Sequence, residues 1–179
     1  MPARERLAEY AILGLLIEDG QGSHGYDLAR HFGDAGPLGE VLRLEPGMLY
    51  HHLKRLERVG LVASTAAQEG SRPPKKIYRI TGEGRAELTR WLQSPVVHTR
   101  EIRLEFLVKL FFVLRLDSRA ASRLVQTQLE TLRLVHQSLS VQQSGAAEAA
   151  PDPDRDFMQN VLALRLAQTA AAISWLESL

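Results

Sequence analysis

In the segment Pro46 to Gly60 (PGMLYHHLKRLERVG), Leu49, Leu53 and Leu56 recur at helical spacing while nearly everything between them is polar. At about 100° per residue the three leucines share one stripe, and Gly47, Tyr50, His51, Lys54, Arg55 and Arg58 fan across the other side. Proline suits a first helical turn and Gly60 a left-handed cap, so the pattern predicts a helix with these bounds. Its polar side is positive and carries a tyrosine and a histidine, which suits an acidic target outside the core.

Leu7 to Glu18 is apolar on nearly every side, as in a helix wrapped by others. Tyr26 to Phe32 reads as a short second helix between the glycine-rich turn GQGSHG and the breaker GDAGPLG. Beyond Gly60 the period changes. LVAST (61 to 65) and KIYRI (76 to 80) predict a two-stranded hairpin with the long polar tip AAQEGSRPPK. Thr81 is placed to cap a helix through GEGRAELTRWLQ, with Glu83 in its first turn and Ser94 and Pro95 at its end. Helix, helix, helix, hairpin, helix is the order of a winged helix-turn-helix.

The second half is purely helical. From Ile102 to Leu114 only Arg103, Glu105 and Lys109 are polar. Asp117 or Ser118 caps a long helix to about Val141, with Val125, Leu129, Leu132, His136 and Leu139 at four-three spacing. A flexible linker follows near 144–153, then a helix from about Asp154 to Leu176 with Phe157, Val161, Leu164, Ala171 and Trp175 on one stripe. So much apolar surface in about 80 residues exceeds what one small domain buries, which predicts a second copy as cover. The expected fold class is mainly α with a small β-hairpin: a winged helix over 1–95 and a helical dimerisation domain over 96–179. Phe106, Leu110, Phe157, Val161, Leu164, Ala171 and Trp175 are the expected dimer contacts.

The formal net charge of +1 conceals a local concentration. Residues 46–80 hold Lys54, Arg55, Arg58, Arg72, Lys75, Lys76 and Arg79 against Glu57 and Glu69, a net +5, so the rest of the chain sums to −4. A phosphate backbone requires such a patch, because affinity comes from displacing counterions where the surfaces meet. The absence of cysteine excludes disulfides, thiolate zinc sites and a cysteine nucleophile. The N-terminal stretch lacks an apolar signal core and no apolar run reaches about 18 residues, so the expectation is a cytoplasmic protein without a membrane span.

YAILGLL (10 to 16), HGYDLARHF (24 to 32), PGMLYHHLKRLERVGLV (46 to 62), KKIYRITGEGRAEL (75 to 88) and REIRLEFLVKLFF (100 to 112) together resemble the PadR family of bacterial transcriptional regulators. The long second half is similar to the subfamily with a multi-helix C-terminal domain. The resemblance implies a homodimeric repressor or activator whose winged helices bind an inverted-repeat operator in double-stranded DNA, a repressor being the reading adopted. It also implies release, in some members, by a small aromatic effector. Tyr26 enters as a phosphate contact through this resemblance. Many members carry proline after the tyrosine of LY, where this chain has His51.

The same residues admit other readings. Gly20, Gly22 and Gly25 satisfy GxGxxG, but the helix after them spans two turns and no further strands exist to build a dinucleotide-binding sheet. His51 and His52 diverge by about 100° on a helix and cannot share a metal ion unaided, so no metal or cofactor is expected. No nucleophile, base and orienting group combine, so no enzyme is expected. The alternative function is a winged helix serving only protein–protein interaction. Against it, two basic clusters fall on one predicted face. The first is the helix, with Gly47 and Tyr50 near its phosphate-attracting N-terminus and Lys54 and Arg55 toward guanine edges or backbone. The second is the wing, with Arg72, Lys75 and Lys76.

Overall fold

A computed structural model of the chain describes residues 3–34, 36–67, 75–144 and 153–179. Helix α1 (Ala3–Asp19) is the central element: Ala11, Ile12, Leu13 and Leu16 are at most 1% exposed. Strand β1 (Ser23–His24) leads into the short α2 (Gly25–Arg30), and α3 (Pro46–Arg58) follows with Gly60 beyond its end at φ 79°. Strands β2 (Val62–Ala67) and β3 (Lys75–Ile80) pair antiparallel in register from Val62↔Ile80 to Ala67↔Lys75. Helix α4 (Gly82–Gln93) starts on Thr81, whose hydroxyl accepts from the Gly84 amide at 3.1 Å.

The sheet has three strands in the order β1-β3-β2, not the two of the expected hairpin. Ser23 pairs with Tyr78 and His24 with Ile77, so the end of the GQGSHG turn serves as an edge strand. Two residues are too few to display a period of two, which hides such a strand from pattern reading. The wing tip with Arg72, and the linker residues 145–152, lie outside the described residues.

The helix expected over Ile102–Leu114 is two pieces, a π turn (Ile102–Phe106) and α5 (Leu107–Leu116), and a 3₁₀ turn (Thr99–Glu101) leads into them. Helices α6 (Ser118–Ser144) and α7 (Pro153–Glu177) complete the chain and pack along each other. Asp117 caps α6: its carboxylate accepts from the Arg119 amide at 2.9 Å. Amide bonds from Ala120 and Arg119, with Arg123 nearby, hold that carboxyl below the usual range.

One continuous core runs through both halves. A Cβ on Gly14 of α1 would sit 2.5 Å from the Phe112 ring of α5, so the two helices approach where only glycine fits. Tyr10 stacks on Trp91 with ring centroids 4.4 Å apart, tying α1 to α4. The apolar residues of the π turn and α5 are therefore largely covered within one chain. Phe106 in particular is fully buried, edge-on to Trp175 at 6.0 Å, and is not available to a second copy as expected. Its partners come from distant parts of the same chain, which the local pattern cannot show.

Candidate nucleic-acid interface

Helix α3 presents three distinct sides. Leu49, Leu53 and Leu56 are at most 1% exposed and seat it in the core. Gly47, His51, Lys54 and Arg58 form the outward ridge and are all exposed. On the flank toward the sheet stand Tyr50 and Glu57; on the flank toward α1 stand His52 and Arg55.

Arg55 is less open than the polar pattern predicts. Its guanidinium lies 3.5 Å from the Glu9 carboxylate and its side chain is 33% exposed. It stands three positions after buried His52, whose Nδ1 lies 3.4 Å from the same carboxylate, so both share the α1 flank. His52 is correspondingly a core residue, 2% exposed.

The sheet-side flank builds a notch of about 510 Å³ lined by His24, Gly25, Tyr26, Asp27, Tyr50, Lys76 and Tyr78. Tyr26 is 70% exposed and Tyr50 47%. A Cβ on Gly25 would lie 2.4 Å from the Tyr50 ring, so glycine at the start of α2 sets how closely that ring packs. His24 and Tyr78 are additions to the expected set. His24 is hard to find in the sequence because its strand is so short; its Nδ1 lies 3.2 Å from the Lys76 carbonyl oxygen.

Glu57 joins α3 to the wing. It accepts from the Ser64 hydroxyl at 2.5 Å and from the Lys76 ammonium at 3.4 Å. The Ser64 bond above all holds its carboxyl below the ordinary glutamate value; burial opposes this, and Lys76 adds to the lowering. Lys76 thus stands at the wing in an ion pair, 54% exposed. Lys75 opens β3 beside it. Burial pushes the Tyr78 phenol above its usual value, so this ring stays neutral near pH 7.

At the other end of the molecule, α6 and α7 leave Leu134, Val141, Phe157, Met158 and Leu164 between 59% and 68% exposed. Of the expected dimer contacts, Phe157, Leu164 and Ala171 are open, while Leu110, Val161 and Trp175 are half-buried in the chain. Between α1, the 3₁₀ and π turns and α7 lies a cleft of about 720 Å³, with Leu7, Ile102, Leu104, Ala171 and Ala172 as apolar walls and Arg100, Arg103 and Gln168 among its polar lining.

A helix presenting a polar, basic ridge, backed by a three-stranded wing that holds a lysine alongside it, defines a winged-helix DNA-binding transcriptional regulator. Similar proteins narrow the class. The model of the transcriptional regulator PadR-like family matches residues 12–90. The negative transcriptional regulator PadR of Bacillus subtilis is 30% identical over 97% of this chain and 96% of its own length. The chain belongs to the PadR-like family. The crystal structure of Bacillus subtilis PadR in complex with operator DNA covers 99% of this chain and 97% of that one, at 29% identity and a TM-score of 0.50. The structure of the same relative with p-coumaric acid covers 99% and 96%, at 29% identity and a TM-score of 0.44.

Proposed function

We propose that the protein is a homodimeric repressor that binds an inverted-repeat operator and is released by a small aromatic effector. The observation that carries DNA binding is the exposed ridge of α3, where His51, Lys54 and Arg58 project together beside Tyr50, Tyr26 and Lys76. Lys54 and Arg58, one turn apart, suit base edges or phosphates in a major groove. The tyrosine hydroxyls and Lys76 suit the flanking backbone, a contact that sets register rather than sequence.

Dimerisation is supported by the open apolar face of α6 and α7. Two copies joined there would carry recognition helices into successive major grooves, about 34 Å apart. Repression and operator binding are taken over from the Bacillus relative, whose name and structures describe both. The cleft beside α7 supports the effector: its apolar walls suit a planar ring, and Arg100 and Arg103 suit a carboxylate.

Genomic DNA fragments retained by the full-length protein, followed by fluorescence-anisotropy titration of the enriched sequence over a range of salt, test the reading. Enrichment of an inverted repeat, with log affinity falling linearly in log salt, is expected. No enrichment, or affinity indifferent to salt, would favour an interaction module instead.

A further inference from the structure

The segment joining α4 to the 3₁₀ turn is gripped by two buried polar side chains from the C-terminal helices. Lys109 of α5 is 1% exposed, and its ammonium donates to the Ser94 carbonyl oxygen at 2.7 Å and lies 3.2 Å from the Ser94 hydroxyl. Gln128 of α6 is fully buried and closes a ring with one residue: its amide donates to the Val96 carbonyl at 2.8 Å and its oxygen accepts from the Val96 amide at 2.8 Å. The backbone on both sides of Pro95 is therefore held from outside the winged helix.

The grip extends into α4. Glu105, in the π turn, pairs with Lys109 at 3.0 Å and accepts from the Trp91 indole nitrogen at 2.9 Å. The Lys109 ammonium also stands 4.9 Å from the centre of the Trp91 ring. Burial depresses the Lys109 pKa while Glu105 opposes the shift.

Cohesion alone does not require this arrangement. Apolar side chains of similar volume would hold two packed helices together as well or better than a buried ion pair. What they lack is direction, since the hydrophobic effect is indifferent to small rotations, whereas hydrogen bonds from fixed helices to a linker peptide are not. A small domain is about 30 Å across, so a swing of about 7° about the linker would carry its far surface roughly 3.5 Å, one base-pair step.

We propose that Lys109 and Gln128 are positioning residues that fix the angle of the winged helix on the C-terminal helices, and with it the separation of the two recognition helices. The inference rests on the dimeric reading above. It makes operator half-site spacing a property of the linker clasp as well as of the dimer contact.

Because the chain has no cysteine, Lys54→Cys provides a single attachment point for a nitroxide on the exposed ridge. Pulsed electron paramagnetic resonance on the full chain without DNA should give one narrow distance between the two copies. Lys109→Met and Gln128→Leu should each at least double the width of that distribution or displace it by 3 Å or more, about one base-pair step. Leu28→Ala, a core truncation inside the winged helix, should lower thermal stability yet leave the width unchanged. Should Lys109→Met fail to fold, Gln128→Asn keeps the amide but is one methylene too short to bond both Val96 groups, and it should broaden the distribution too. Folded variants with the parent's narrow distance would overturn the proposal. If the parent shows no distance between copies, the dimer reading fails instead. The clasp is then read within one chain, from the Lys54→Cys, Glu130→Cys pair, where the same broadening is expected and its absence overturns the clasp.

Discussion

Replacing Phe157 by glutamate tests whether the open face of α7 is a contact between copies. The ring is 64% exposed in the single chain. A phenylalanine buries on the order of 200 Å² when fully covered, so roughly 130 Å² awaits a partner, or about 3 kcal/mol per copy at 25 cal/mol per Å². A two-fold interface counts the loss twice, giving an upper bound of about 6 kcal/mol. If the second copy covers half of each ring, the loss is about 3 kcal/mol, still more than a hundredfold in dissociation constant, and a desolvated carboxylate adds to it. The monomer should be indifferent, because exposed substitutions rarely change stability by more than about 0.5 kcal/mol. Sedimentation velocity across a concentration series, with circular dichroism to confirm the fold, measures both. A parent that sediments as a dimer while Phe157→Glu and Leu164→Glu dimerise equally tightly would refute the assignment of this face.

Lys54→Ala and Arg58→Ala should each weaken DNA binding and reduce the log–log salt slope by about 0.9 for every phosphate no longer neutralised, as measured by anisotropy; an unchanged slope for both would place them off the DNA. Arg55→Glu should set a second carboxylate beside Glu9 and lower the melting temperature by several degrees, about 1 kcal/mol, in a calorimetric scan; full stability would contradict the pairing. Ser64→Ala should raise the Glu57 pKa, followed by NMR titration of its side-chain carboxyl. Because folding depresses that pKa, the contribution is in place above the unfolded value near 4.5 and is lost as pH falls through the folded one. The alanine variant should accordingly lose less stability on acidification.

The recognition helix was legible because its signals agree: proline at the start, a leucine stripe, glycine at the end. The Thr81 cap and the pairing of LVAST with KIYRI were legible for the same reason. What escaped is governed by contacts between distant residues. Arg55 counts as polar on any helical wheel, and its pairing with Glu9 of α1 half-covers it in a way the local pattern does not show. Phe106 belongs to an apolar run that looks like a seam, yet Trp175 waits for it 69 positions later in the same chain. The π turn over Ile102–Phe106 has no composition of its own, since its residues suit an α-helix equally well.

The fit of Gly14 against Phe112 also orders events during synthesis. All the parts of the winged helix leave the ribosome before α5 does. Translation at about 5–20 residues per second leaves several seconds between residue 14 and residue 112. Throughout that interval the side of α1 that receives Phe112 is wet and apolar. The nascent winged helix therefore carries an uncovered apolar side until the C-terminal helices reach it, and a chain truncated before α5 keeps that side open to chaperones and proteases.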